Sequence, residues 1–310
     1  MYRHSANLLL LVAGITWGMG FVAQQTAMQD IGPFLFVGVR FCLAALAVLP
    51  FVYYERSKIH AEETKTLTVK DLNTMLLLGL VFFLGMILQQ IGLLTTTVTN
   101  AGFLTGLYVV FVPFILWIVL REKQHWIIWP VALACLLGIF LLGGGHLGGL
   151  NIGDSLVTAG AVFWAVQVIM MGKIAQRTRR PVLVATVQFA CCGLLGLIGH
   201  WVCSALLGID LEPPLALESL RAALPEILYA ALIAGAFAFT LQAIGQRYTG
   251  EAEAAILLSS ESVFAALFAA WFLSDRLELA GYLGCAIMFA AILVVQVVPA
   301  NVKAAAVGRG

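Results

Sequence analysis

PFLFVGVRF, residues 33–41, and PVLVATVQF, residues 181–189, share their opening Pro, their closing Phe and an apolar spacing between them. Each opens an apolar run long enough to cross a bilayer, so the pair marks an internal repeat with a period of about half the chain. The match continues on both sides. Trp17 precedes the first stretch as Trp164 precedes the second, QQIGLL (89–94) resembles QAIGQR (242–247), and Arg121-Glu122-Lys123 aligns with Ser274-Asp275-Arg276.

A hydrocarbon core about 30 Å thick needs roughly 20 mostly apolar helical residues. Ten stretches qualify, at about 8–27, 33–54, 73–94, 100–120, 126–143, 154–172, 182–207, 226–246, 253–273 and 279–299. They are continuous apolar runs without the alternation of barrel strands, and unpaired backbone is too costly in lipid, so all ten read as helices. Five helices per half is an odd number, and the halves must therefore enter the membrane from opposite sides, as in the inverted repeats of secondary transporters. The expected fold is an all-α integral membrane protein of about ten transmembrane helices. Its first repeat is placed at 1–143, a Gly-rich link at 144–153, the second repeat at 154–300 and a tail at 301–310.

The composition agrees with a lipid surrounding. The 310 residues are 62% hydrophobic and 11% charged, with a mean hydropathy of +0.99, against roughly 45–50% apolar and about 25% charged in soluble domains. A net charge of +1 argues against nucleic acid as a partner, since phosphate binding needs clustered Lys and Arg. Cys42, Cys135, Cys191, Cys192, Cys203 and Cys285 fall in or beside apolar segments without ligand spacing and read as small buried residues, not as a disulfide framework or metal site. The run from Leu8 to Ala23 resembles a signal peptide but is long enough to span and lacks a small-residue cleavage site; it reads as an uncleaved first helix.

Lys and Arg in the connections set the orientation. With a cytoplasmic N-terminus, fourteen of the seventeen lie on the cytoplasmic side, Arg221 and Arg276 lie outside, and Arg40 falls within a helix. The expected location is the inner, cytoplasmic membrane, with both termini in the cytoplasm.

The stretch QQIGLLTTTVTNAGFLTGLYVVFVP, from Gln89 to Pro113, together with Arg40 in the second helix and Glu261 in the ninth, resembles the drug/metabolite transporter superfamily and its ten-helix exporters built from two EamA-type halves. The resemblance covers nearly the whole chain. It departs at Ser262, where the family commonly has Pro after Glu and a helix kink. It implies export of amino acids and other small polar or amphipathic metabolites.

Charges at membrane depth are costly, so Arg40 and Glu261 are functional candidates, and Glu261 is expected to titrate or to meet a substrate amine. The competing structural reading is a charge pair or a snorkelling arginine. Glu251 and Glu253 read as a solvated helix N-terminus. Helical spacing puts Thr16, Gly20 and Gln24 on one face with Trp17 beside Thr16, and Trp164 with Gln167, while Tyr108 and Gln242 carry polar groups within apolar runs; with Gln90 and Asn100, these Trp, Gln and Tyr residues are the expected pathway lining. Any one of them alone is better explained by an interhelical hydrogen bond, whereas as a set several are expected to face the pathway. Small-residue pairs at Gly14/Gly18 and Gly102/Gly106 predict close helix contacts.

A secondary carrier for a small-molecule substrate, coupled to protons or another ion, is the leading expectation, and no cofactor is expected. No Walker-type loop is present to hold a nucleotide. An intramembrane enzyme would need converging catalytic groups, and four of the five histidines lie in tails or loops. A channel would show currents without saturation. An exporter of drugs or other metabolites shares the fold, as does a sugar-phosphate or nucleotide-sugar exchanger, which would want several intramembrane cations. The orientation is checked by reporters: green fluorescent protein at either terminus should fluoresce, and alkaline phosphatase there should be inactive. Active phosphatase at the N-terminus would reverse the assignment.

Overall fold

The computed structural model describes residues 3–58, 67–142, 151–207, 216–274 and 278–297, and within them every long element is a helix. Eight helices are long and apolar enough to cross a membrane: α1 (Arg3–Ala27), α2 (Pro33–Ser57), α3 (Val69–Gly92), α4 (Val98–Val119), α6 (Ile152–Thr178), α7 (Pro181–Ser204), α8 (Leu224–Gln246) and α9 (Glu251–Phe272). Two shorter apolar helices complete the set, α5 (Ile128–Leu141) and α10 (Leu279–Val295), and they pack on each other. Each of the ten sequence-predicted spans has its helix. The Gly-rich link up to residue 150, Asp275, Arg276 and the tail lie outside the described residues.

Four helices start from signals visible in the chain. Thr68 caps α3 and Asn151 caps α6, each in a reciprocal box with an Asp three residues on, and Pro33 and Pro181 open α2 and α7. α1 begins earlier than hydropathy suggests, because Arg3 is held in the bundle by the Glu253 carboxylate (2.8 Å) and the Val295 carbonyl (2.8 Å). Paired in this way, a charged residue can extend an apolar helix.

The repeat is structural. α2 packs on α7, and α3 on α6. α4 is interrupted at Gly106 and α9 at Ser259, 153 positions apart, as are Gln89 and Gln242. Two residues beyond the end of each helix stands a residue of positive φ, Arg121 at 55° and Ser274 at 58°, again 153 positions apart. A left-handed residue that is not glycine is uncommon, so its recurrence at equivalent positions supports the alignment. The α9 break forms without proline. Ser259 donates to the Ile256 carbonyl (2.8 Å), and the Ser262 N–H turns back to the Ser259 carbonyl (3.1 Å), closing one tight turn.

Glycines bring the broken helices close to their neighbours. Gly14 and Gly18 of α1 face α9, where a Cβ on Gly18 would come within 2.8 Å of the Ala265 amide, and Gly102 and Gly106 of α4 face Ser262 and Ala265. The Ser262 hydroxyl donates to the Gly102 carbonyl at 2.7 Å, tying α9 to α4 beside both breaks. Gly18→Leu should therefore destabilise by about 1–3 kcal/mol through overpacking. Gly85→Ala, whose added carbon meets only ordinary contacts at 3.5 Å, should not. Thermal unfolding in detergent compares the two variants, and equal melting temperatures would refute the tight α1–α9 contact.

Candidate functional site

The two breaks, the amide-bearing faces of α3, α6 and α8, and the middle of α1 and α2 converge on one internal cavity. Its free volume is about 30 Å³, enough for a water or two and not for a metabolite. Of the ten residues expected on the pathway, Trp17, Gln24, Arg40, Tyr108, Trp164, Gln167, Gln242 and Glu261 lie on its wall.

Gln90 and Asn100 do not. Gln90 is fully buried and donates to the Gln24 backbone carbonyl at 3.1 Å; its neighbour Gln89, one helical step of about 100° away, holds the wall position and donates to the Thr105 hydroxyl (2.9 Å). Asn100 sits in the first turn of α4, its N–H bonded to the capping Thr97 hydroxyl. At 1.5 Å per residue it lies roughly 12 Å along the helix from Tyr108.

The wall and the residues just behind it, Phe189 and Gln188 among the latter, include repeat-related pairs. Trp17 and Trp164, Phe41 and Phe189, Met86 and Phe239, Gln89 and Gln242, and Tyr108 and Glu261 occupy equivalent positions, and Arg40 corresponds to Gln188. Phe239 is the hub of the aromatic side, with Trp17 at 4.4 Å, Phe82 at 4.8 Å and Trp164 stacked at 6.0 Å between ring centres. Sequence reading missed Phe239 because nothing distinguishes one Phe among nineteen; its equivalence to Met86 becomes meaningful only once the cavity is seen.

Arg40 is 2% exposed. Its guanidinium lies over the rings of Phe36 (4.8 Å) and Phe41 (4.7 Å), and one terminal nitrogen donates to Gln24 Oε1 (3.2 Å) and the Met86 sulfur (2.7 Å). Desolvated cation–π contacts of this kind contribute about 2 kcal/mol each. Its Nε–H is buried without an acceptor. Glu261, 5% exposed, stands beside Tyr108, whose hydroxyl lacks a partner of hydrogen-bonding geometry. Among the described residues neither Arg40 nor Glu261 forms an ion pair, so the charge pair weighed from the sequence does not form. The indole N–H of Trp164 is also unpartnered, whereas Trp17 donates to the Ala234 carbonyl (3.0 Å), where α8 is wound in wide π-type turns over Tyr229–Phe239. Such winding changes the carbonyl pairing along a helix. Gln167 and Gln242 exchange amide hydrogen bonds at 3.1 and 3.4 Å, and Gln167 also reaches Gln188 (2.9 Å).

Repeat-related ties lie toward the two ends of the bundle. Asn7 of α1 accepts from the Thr249 hydroxyl (3.1 Å) at the end where the N-terminus lies; at the opposite end the equivalent Asp154 of α6 accepts from the Thr96 hydroxyl. The N-terminal end is tied more heavily. Arg3 pairs with Glu253, Lys173 with Glu122 (2.5 Å) and Arg177 with Asp71 (2.5 Å), each pair joining one half to the other. Glu253 is 2% exposed and also accepts from Asn7 (2.8 Å). The expected solvated mouth is corrected here, because the start of α1 folds over this carboxylate.

A ten-helix inverted repeat enclosing a polar cavity at its helix breaks defines a class of membrane transporters. The EamA-like transporter family model matches residues 4–144 and again 151–297, and the chain belongs to that family. A relative from Archaeoglobus fulgidus, described as an uncharacterized transporter, is 29% identical over 294 residues, covering 95% of this chain and 86% of its own. A solved crystal structure superposes with a TM-score of 0.71 at 18% identity, over 96% of this chain and 98% of that one, which is a likeness of fold. The protein is a membrane transporter.

Arg40→Lys keeps the charge but replaces the planar fork that the two phenyl rings and Gln24 hold. The variant should stay folded, judged by an unchanged detergent elution profile, and lose most substrate binding. Wild-type binding in this variant would show that the guanidinium shape is irrelevant.

Proposed function

We propose that the chain is a secondary active carrier that exports small polar or amphipathic metabolites, amino acids foremost, across the cytoplasmic membrane by alternating access, with both termini in the cytoplasm. The carrying observation is that a buried cation and a buried carboxylate open on one cavity, neither of them paired. A guanidinium and a carboxyl group buried apart from each other are costly to hold in their charged forms unless a ligand completes them. A zwitterion does so, with its carboxylate on the Arg40 guanidinium and its ammonium on Glu261 and the Tyr108 hydroxyl. Trp17, Trp164 and Phe239 then flank an apolar side chain, and the amides of Gln24, Gln167 and Gln242 orient it. A single intramembrane arginine suits a carboxylate better than a sugar phosphate.

Transport requires the halves to part. A cavity of about 30 Å³ must widen to admit an amino acid, and the ties toward the two ends of the bundle are the contacts that break in turn. Three ion pairs on the N-terminal side against the Thr96–Asp154 tie on the other make the N-terminal side the firmer seal in this conformation. The export direction follows from the family resemblance, and a gradient of substrate, protons or another ion supplies the energy.

Proteoliposomes test this reading. Unlabelled amino acids inside and a labelled trace outside should give transient accumulation that saturates. Glu261→Gln should weaken amine recognition by about 1.5–3 kcal/mol, roughly tenfold or more, and flatten any pH dependence. No counterflow with any amino-acid pool would overturn the substrate class. Counterflow that is unchanged in Glu261→Gln would remove Glu261 from the site.

A further inference from the structure

At the end of the bundle where α2 finishes and α7 begins lies a groove separate from the transport cavity. Glu55, near the end of α2, turns its carboxylate onto the first turn of α7, accepting from the N–H groups of Val182 (2.9 Å) and Leu183 (3.2 Å). This cap satisfies donors that a helix N-terminus leaves open and sets negative charge against the positive end of the helix dipole. Beside it a groove of about 230 Å³ is lined by Leu49, Val52, Tyr53 and Arg56 of α2 and by Arg180 and Leu183 at the start of α7.

The charge balance there is uneven. Glu55 is the carboxylate in the groove, and it feels Arg180 and Arg247 electrostatically while Arg56 lines the same groove. Among the described residues no hydrogen bond or ion pair engages the Arg56 side chain, and Arg180 keeps a buried Nε–H without an acceptor. The apolar side opens outward, with Leu49 at 42% and Tyr53 at 67% exposure. In a membrane-spanning helix that flank meets acyl chains, and the tyrosine marks the headgroup level.

We infer that this groove binds an anionic glycerophospholipid, its phosphate held by Arg56 and Arg180 and one acyl chain lying along Leu49 and Val52. Guanidinium forks match phosphate oxygens in pairs, and basic pockets between transmembrane helices at the interface are suited to lipid headgroups. The apolar wall selects a lipid over free phosphate, because a free ion would leave Leu49, Val52 and Leu183 uncovered. The site bridges α2 and α7, one helix from each half, so the bound lipid steadies their contact. It goes beyond the transport reading and requires only that the chain spans a bilayer.

Thermal unfolding of the full chain in nanodiscs tests the site, with phosphatidylcholine alone compared with phosphatidylcholine plus phosphatidylglycerol. Wild type should melt higher with phosphatidylglycerol, and Arg56→Gln, a change to an exposed side chain, should lose at least half of that difference. Arg56→Gln/Arg180→Gln should lose all of it while melting as wild type does in phosphatidylcholine. If the double variant fails to fold, Arg56→Gln alone decides. The same difference in Arg56→Gln as in wild type, or an equal gain when inorganic phosphate is added to phosphatidylcholine nanodiscs, would overturn the proposal.

Discussion

A backbone amide or carbonyl without a partner in hydrocarbon costs several kcal/mol, and that constraint shapes this molecule. Ten helices satisfy it along most of the chain. Irregular backbone is then tolerated only where protein surrounds it, and the central interruptions at Gly106 and Ser259 both lie deep in the bundle. There the Ser262 hydroxyl serves the Gly102 carbonyl. The same constraint that makes the lipid-facing surface regular therefore concentrates the irregular, polar backbone next to Tyr108 and Glu261.

Inverted duplication explains why this centre is symmetric. A residue near the middle of a helix in one half meets its equivalent near the middle of the other, so tryptophans, phenylalanines and glutamines arrive in pairs. The pairing has diverged at Met86 and Phe239, and at two further positions it has diverged between an ionisable acid or base and another residue type. Arg40 stands against Gln188, and Tyr108 against Glu261. Those two exchanges place one guanidinium and one carboxyl group in an otherwise uncharged, aromatic chamber.

Much of this was legible in the sequence. Hydropathy located every span because a membrane helix needs a long apolar run, and the Pro33/Pro181 match located the repeat because proline at a helix start leaves a fixed mark. Most of the expected wall residues share the cavity because polar side chains in apolar runs must point inward. Gln89 and Gln90 show the limit: adjacent amides differ by a helical rotation that hydropathy does not fix when both flanks are apolar. The buried pair of Glu253 with Arg3 was illegible for another reason. It depends on residues 250 positions apart in the chain, and both look solvent-bound from their terminal places. The kink at Ser259 arises from serine hydroxyls and tight turns, for which no residue pattern is as plain as proline.

The small volume of the central chamber also has an electrical meaning. A membrane at 100 mV holds about 2.3 kcal/mol for each elementary charge, and any continuous file of water through a protein would discharge it. With room of only about 30 Å³ and a hydroxyl tie toward either end of the bundle, the chamber in this conformation holds too little water to form such a file. A chamber this small places little water at mid-membrane, so in this conformation the chamber itself is where such a file would be interrupted.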